Sequence, residues 1–121
     1  MFAIHSKLEL LKHTKQPLGS YARHYYDLFQ LSQHAERLHV AIRGVRDDQT
    51  DYDRISRANF PKSYFFPEGM TLSRSDGLFP SDELALIIGA EYETQCKMLC
   101  YGPYPSWAEV QARFLDIRKL L

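Results

Sequence analysis

Apolar residues recur along this chain at helical spacing, and they divide it into segments. In positions 1–14, Met1, Ile4, Leu8 and Leu11 fall on one stripe, with His5, Glu9 and Lys12 on another, which predicts an amphipathic helix. No Ser, Thr, Asp or Asn stands ahead of it as a cap, and the apolar pattern is already running at Met1. A chain cut or initiated inside a helix would look like this. Pro17 and Gly19 then break the pattern across 15–20, and Ser20 is the expected N-cap of a helix over 21–33. A shorter helix is predicted over 34–42, with Ala35, Leu38 and Ile42 on one face and Gly44 as its stop. Positions 45–50 read as polar and exposed. Another helix follows over 51–59, capped by Asp47, Asp48 or Thr50, with Tyr52 and Ile55 turned inward.

Positions 60–80 fit neither helix nor strand. They hold Pro61, Pro67, Gly69, Gly77 and Pro80 among Phe60, Tyr64, Phe65, Phe66 and Phe79. A loop of this length inside a compact domain needs pins, and aromatic rings that each bury about 150–250 Å² can supply them. Beyond the loop the signals are dense. Ser81, Asp82 and Glu83 make a capped, acid-rich helix start. Leu84, Ile88, Tyr92, Cys96 and Leu99 form a stripe that ends before Gly102. After a tight turn at 101–105, Ser106 and Glu109 fit a capping box, and Val110, Phe114, Ile117 and Leu121 line the final helix. A turn this short predicts that the last two helices pack antiparallel. The expectation is one all-α domain over 1–121, a bundle of about five helices with one long, aromatic-anchored loop.

Composition narrows the function classes more than it names one. Fifteen basic residues balance fifteen acidic ones in 121, which gives no support for a nucleic-acid clamp. No apolar run approaches the roughly 20 residues of a membrane span. The start of the chain lacks the pattern of a signal peptide. With only two cysteines, a reducing cytoplasm is the expected location and no membrane partner is expected. The five histidines make no metal pattern and are expected to face solvent or bond locally. Cys96 and Cys100 supply half a metal site with no second half, so burial as small hydrophobes is the simpler expectation and no metal site is predicted. No glycine-rich phosphate loop and no nucleophile elbow is present.

One stretch brings charge, aromatics and helical spacing together: Arg23-His24-Tyr25-Tyr26-Asp27-Leu28-Phe29-Gln30-Leu31. On a helix Arg23, Asp27 and Gln30 share a face, beside an aromatic flank. Taken alone, Arg23 and Asp27 make an exposed ion pair worth about 0.3–0.5 kcal/mol.

The wording of that stretch resembles the last motif of the AbiEii/AbiGii toxin-type nucleotidyltransferases, Arg-[Asp/His]-x-Tyr-Asp-Leu-[Tyr/Phe]-x-Leu, found in phage-defence and toxin–antitoxin systems. The segment 1–11 resembles the helix after that family's Glu-Lys motif. Positions 51–60 and the loop after them are similar to its later helix and loop. Tyr101-Gly102-Pro103-Tyr104-Pro105-Ser106-Trp107-Ala108-Glu109 is similar to its turn near the C-terminus. The resemblance covers the whole chain as the C-terminal helical part of a longer protein. It implies that Asp27 is the carboxylate that positions or deprotonates the acceptor, as a vestigial or shared catalytic residue. Arg23, Tyr26 and Lys7 are implied as substrate-binding, with Asp27 in a surface concavity near Arg23 and Lys7 or Lys12. For a complete family member it also implies Mg²⁺, a nucleoside triphosphate and an RNA acceptor.

The sequence departs from that pattern where the ion and phosphates are held. Asp51-Tyr52-Asp53 has the letters of the Asp-x-Asp pair, but it follows Asp27 and lies in a predicted helix, and Gly19-Ser20 stands in the wrong place for the phosphate turn. No cofactor is therefore expected on this chain, and catalysis by it alone is not. The rival expectation is a non-catalytic helical interaction module. Such a module would self-associate or bind an antitoxin or other protein through an apolar surface bared around positions 1–11.

Overall fold

The computed structural model describes residues 1–62 and 71–121, the side chain at 35 excepted. Among the described residues the regular structure is entirely helical. Five α-helices follow one another: α1 (Phe2–Thr14), α2 (His24–Ser32), α3 (Ala35–Asn59), α4 (Asp82–Leu99) and α5 (Trp107–Arg118). Short 3-10 turns at Gly19–Arg23 and Leu72–Arg74 complete the order. This is the expected all-α bundle, and no helix in it is long and apolar enough to cross a membrane.

Its core is one contiguous cluster to which every helix contributes, with Ile4 and Leu8 of α1, Tyr25 of α2, Ile42 of α3, Tyr92 of α4 and Phe114 of α5 at its centre. The apolar stripe of α1 is therefore spent inside the molecule: Met1, Phe2 and Leu11 also pack against the cluster. The surface expected to be bare around positions 1–11 is covered. α1 ends at Lys15, which takes a left-handed conformation (φ 60°) and returns its N–H to the Leu11 carbonyl at 2.8 Å.

Four local expectations change. The helices predicted at 34–42 and 51–59 are one 25-residue helix, α3, which runs through Gly44 and the polar stretch 45–50. An interior glycine costs a helix only about 1 kcal/mol, and 35–59 contains no proline. Ion pairs from Asp51 to Arg54 (3.1 Å) and from Asp53 to Arg57 (2.9 Å) support its polar surface. Tyr52 does turn inward, stacking on Phe2 with ring centroids 4.1 Å apart, but Ile55 stays exposed. Ser20 is not an N-cap: it sits inside the 3-10 turn, and α2 begins behind Arg23 without a side-chain cap. In the long loop, Phe79 packs on the core whereas Phe60 is exposed. Tyr64, Phe65, Phe66, Pro67 and Gly69 lie outside the described residues, as does the side chain of Ala35.

The last third follows its signals closely. The Ser106 hydroxyl accepts from the Glu109 N–H at 3.2 Å, while the Glu109 carboxylate accepts from the Ser106 N–H at 2.7 Å, which closes the capping box. Ser81 occupies the N-cap of α4 without a side-chain bond. Tyr92 ties α4 to the turn ahead of α5 by donating to the Pro105 carbonyl at 2.7 Å. Gly89 lets the two helices close, since a Cβ there would meet the Trp107 indole at 2.6 Å.

Candidate functional site

The start of α2 carries the residues that the sequence singles out. The 3-10 turn Gly19–Arg23 feeds into α2 without a break, and it is tethered to α4 where the Leu18 N–H donates to the Glu91 carboxylate at 2.9 Å. The helix then sends Tyr25 inward and Arg23, His24 and Asp27 toward solvent. Asp27 keeps 43% of its side chain exposed. One carboxylate oxygen lies 3.2 Å from His24 Nδ1 and 4.0 Å from Arg23 Nε, and both of those partners are themselves half exposed. Asp27 is thus neither sealed in the core nor locked to a buried cation, and its remaining lone pairs face water.

Lys7 reaches the same side of the molecule by another route. Its ammonium sits 4.4 Å above the centroid of the Tyr21 ring, a cation–π contact. That ring meets His24 edge-on at 5.5 Å. Lys7, Tyr21, His24 and Asp27 therefore form a chain of contacts from α1 to α2, although Lys7 does not touch the carboxylate. Lys7 and Tyr21 also line a cleft of about 510 Å³, together with Ala3, Ser6, Tyr52 and Phe60. Asp27 is not among its lining residues, so it stands beside this hollow and not within it. Lys12 is engaged elsewhere, with Glu9 at 3.0 Å and Asp76 at 2.8 Å. Burial lowers the Lys12 pKa, but the bonds to Asp76 and Glu9 outweigh it and hold the amine above its ordinary value.

Of the expected site residues, the structure brings Arg23 to Asp27, links Lys7 to them through two rings, and turns Tyr26 away. The half-buried Tyr26 ring packs against the core. His24 and Tyr21 join this group without having been among the expected site residues, and their spacing carries the signal, since 21, 24 and 27 step by one helical turn along one side.

The inner side of the same segment is architectural. Tyr25 is buried, with its ring edge-on to Trp107 at 5.0 Å and stacked on Phe114 at 5.9 Å, and its hydroxyl donates to the Gly77 carbonyl. Burial, with the Glu91 charge adding to it, pushes that phenol far above its ordinary pKa, so it stays a donor. Gly77 N–H donates to the Ser75 hydroxyl at 3.2 Å, and the same hydroxyl bonds His5 Nδ1 at 2.7 Å. A Cβ at Gly77 would fall 2.9 Å from the His5 Cα, so the loop backbone lies directly on α1. His5 corrects the expectation for the histidines. It is wholly buried, and its partner is 70 positions away.

Cys96 is buried and Cys100 half-buried, as small hydrophobes would be. Burial, reinforced by the neighbouring Cys100 thiol, pushes the Cys96 thiol up to about 12, which makes it a poor nucleophile. Among the described residues no three His, Cys, Asp or Glu side chains converge as a metal site would require. At the start of α2 Asp27 contributes a single carboxylate, and the Arg23 guanidinium 4.0 Å away already offsets part of its charge. Comparison with protein-family models, with curated proteins and with solved structures finds no match for the chain.

Proposed function

We propose that this chain forms the acceptor-side helical wall of an AbiEii-like nucleotidyltransferase, with Asp27 as the carboxylate that positions or deprotonates the acceptor hydroxyl. One observation supports the reading above the others. Asp27 is half exposed on the first turn of α2, without a buried counter-ion, and is flanked by Arg23 and His24. An acceptor base needs free lone pairs and a water-accessible approach, and Asp27 has both beside the side chains of Arg23 and His24. Arg23, and Lys7 through the Tyr21 ring, supply positive charge suited to the phosphates of an RNA 3′ end. Tyr26 has no part in this version of the site. The Asp-x-Asp pair and phosphate turn of the resemblance have no counterpart in the 121 positions, so this chain alone transfers no nucleotide.

The reading is tested by the coding DNA directly upstream of Met1 together with a transfer assay. An in-frame continuation through Glu-Lys and an earlier Asp-x-Asp supports it. Robust metal-dependent nucleotidyl transfer by this chain alone, or upstream DNA without those motifs, overturns it.

A second reading, a non-catalytic module that self-associates or binds a protein, draws on a different feature. Leu86 is 78% exposed and Met98 71%, both on α4. With Ile87, 44% exposed, they leave separated apolar area on the outer side of α4 that a partner would cover.

A further inference from the structure

The outward face of α4 has an internal symmetry that the catalytic reading does not use. Around Ala90 its exposed residues include Glu83, Leu86, Ala90, Thr94 and Lys97, at offsets of minus seven, minus four, zero, plus four and plus seven, with Ile87 and Met98 exposed along one edge. These offsets keep all five on one stripe of a helix of 3.6 residues per turn. All five are exposed, and neither Glu83 nor Lys97 has an ion-pair partner among the described residues. The stripe is acidic at one end, basic at the other and uncharged between.

A surface with that order is complementary to itself when reversed. A two-fold axis through Ala90 sets a second α4 antiparallel to the first, and an isologous contact requires that each residue meet the partner of its mirrored position. Charge then selects the partner. A second copy presents a lysine where this one presents a glutamate, and the reverse at the other end. A shallow groove of about 290 Å³ beside Ala90 and Thr94, bounded also by Gly19, Glu91 and Gln95, offers room for a branched apolar side chain.

We propose that this face is the contact surface of a symmetric, antiparallel dimer of the chain. Leu86 of each copy seats beside the partner's Thr94, and Glu83 of each pairs with the partner's Lys97. The inference deepens the interaction-module reading and rests on it, independently of any role for Asp27. One helix face buries less than the surface of a standard stable interface, so the dimer is weak, with a dissociation constant on the order of 100 µM.

Sedimentation equilibrium of the whole chain, carried up to about 1 mM so that it brackets that constant, tests the proposal. The expected result is a monomer–dimer equilibrium. Glu83→Lys or Lys97→Glu alone weakens it about tenfold, because each places like charges opposite one another twice per dimer. The double reversal Glu83→Lys/Lys97→Glu restores it, and Leu86→Asp abolishes it. All three positions face solvent, so these variants keep the fold, which circular dichroism checks. A dimer indifferent to these changes overturns this interface and leaves self-association standing. A chain that stays monomeric throughout overturns both.

Discussion

The two sides of α2 do opposite work over the same few residues. On the inner side, Tyr25 is buried against Trp107 and Phe114 and reaches across to Gly77, which lies on the backbone of α1. On the outer side, Arg23, His24 and Asp27 touch one another only loosely and remain half in water. A side chain that holds the fold has its geometry decided by several neighbours at once. One that serves a ligand is left with unspent hydrogen-bonding capacity. The contrast is therefore one of stability against binding, and substitutions on the two sides should separate the two.

The largest effect is expected at the loop contact. Gly77→Ala sets a methyl against the His5 backbone, which has no side-chain freedom to yield, and should destabilise the fold by about 3 kcal/mol in urea unfolding. Next comes Tyr25→Phe, which leaves the buried Gly77 carbonyl without its donor and should cost about 2 kcal/mol with the ring packing intact. A loss near zero would mean that the inner side is held by packing alone.

The capping box gives a smaller effect and a check by pH. Ser106→Ala should cost about 1 kcal/mol. The hydrogen bonds from Ser106 hold the Glu109 carboxyl below its ordinary pKa, backbone N–H first. A depressed carboxylate contributes stability above its unfolded pKa and loses it as the pH falls through the folded one. The stability gap between the native chain and Glu109→Gln should therefore be widest near neutrality and close as the solution becomes acidic. A gap independent of pH would show that the charge contributes nothing there. Smallest of all is Asp27→Asn, expected to change stability by no more than about 0.5 kcal/mol, since its partners are exposed.

Much of this architecture is legible in the chain because it rests on neighbours in sequence. Ser106 and Glu109 are three apart, and the stripes Ile4–Leu8 and Ile88–Tyr92–Cys96 repeat at helical spacing, so local rules find them. The outer side of α2 was legible for the same reason, and Arg23 does meet Asp27. The inner network was not. His5, Ser75, Gly77 and Tyr25 are joined by bonds that cross 52 and 70 positions, and nothing local in the sequence announces them. Gly44 misled in the other direction, because a single glycine is a weak stop when no proline or capping residue accompanies it. The half-burial of Tyr26 against the core was not legible either, because the motif's wording carries no information on which way its ring turns.

The separation of the two sides is tested most directly by titrating the isotopically labelled chain with a short RNA bearing a free 3′ hydroxyl, followed by amide NMR, alongside Asp27→Asn and Arg23→Ala. The account predicts shifts concentrated at Lys7, Tyr21, Arg23, His24 and Asp27, weakened severalfold by both substitutions while the unfolding midpoint stays put. Shifts that are absent, scattered over the surface or unchanged in the two variants would contradict it.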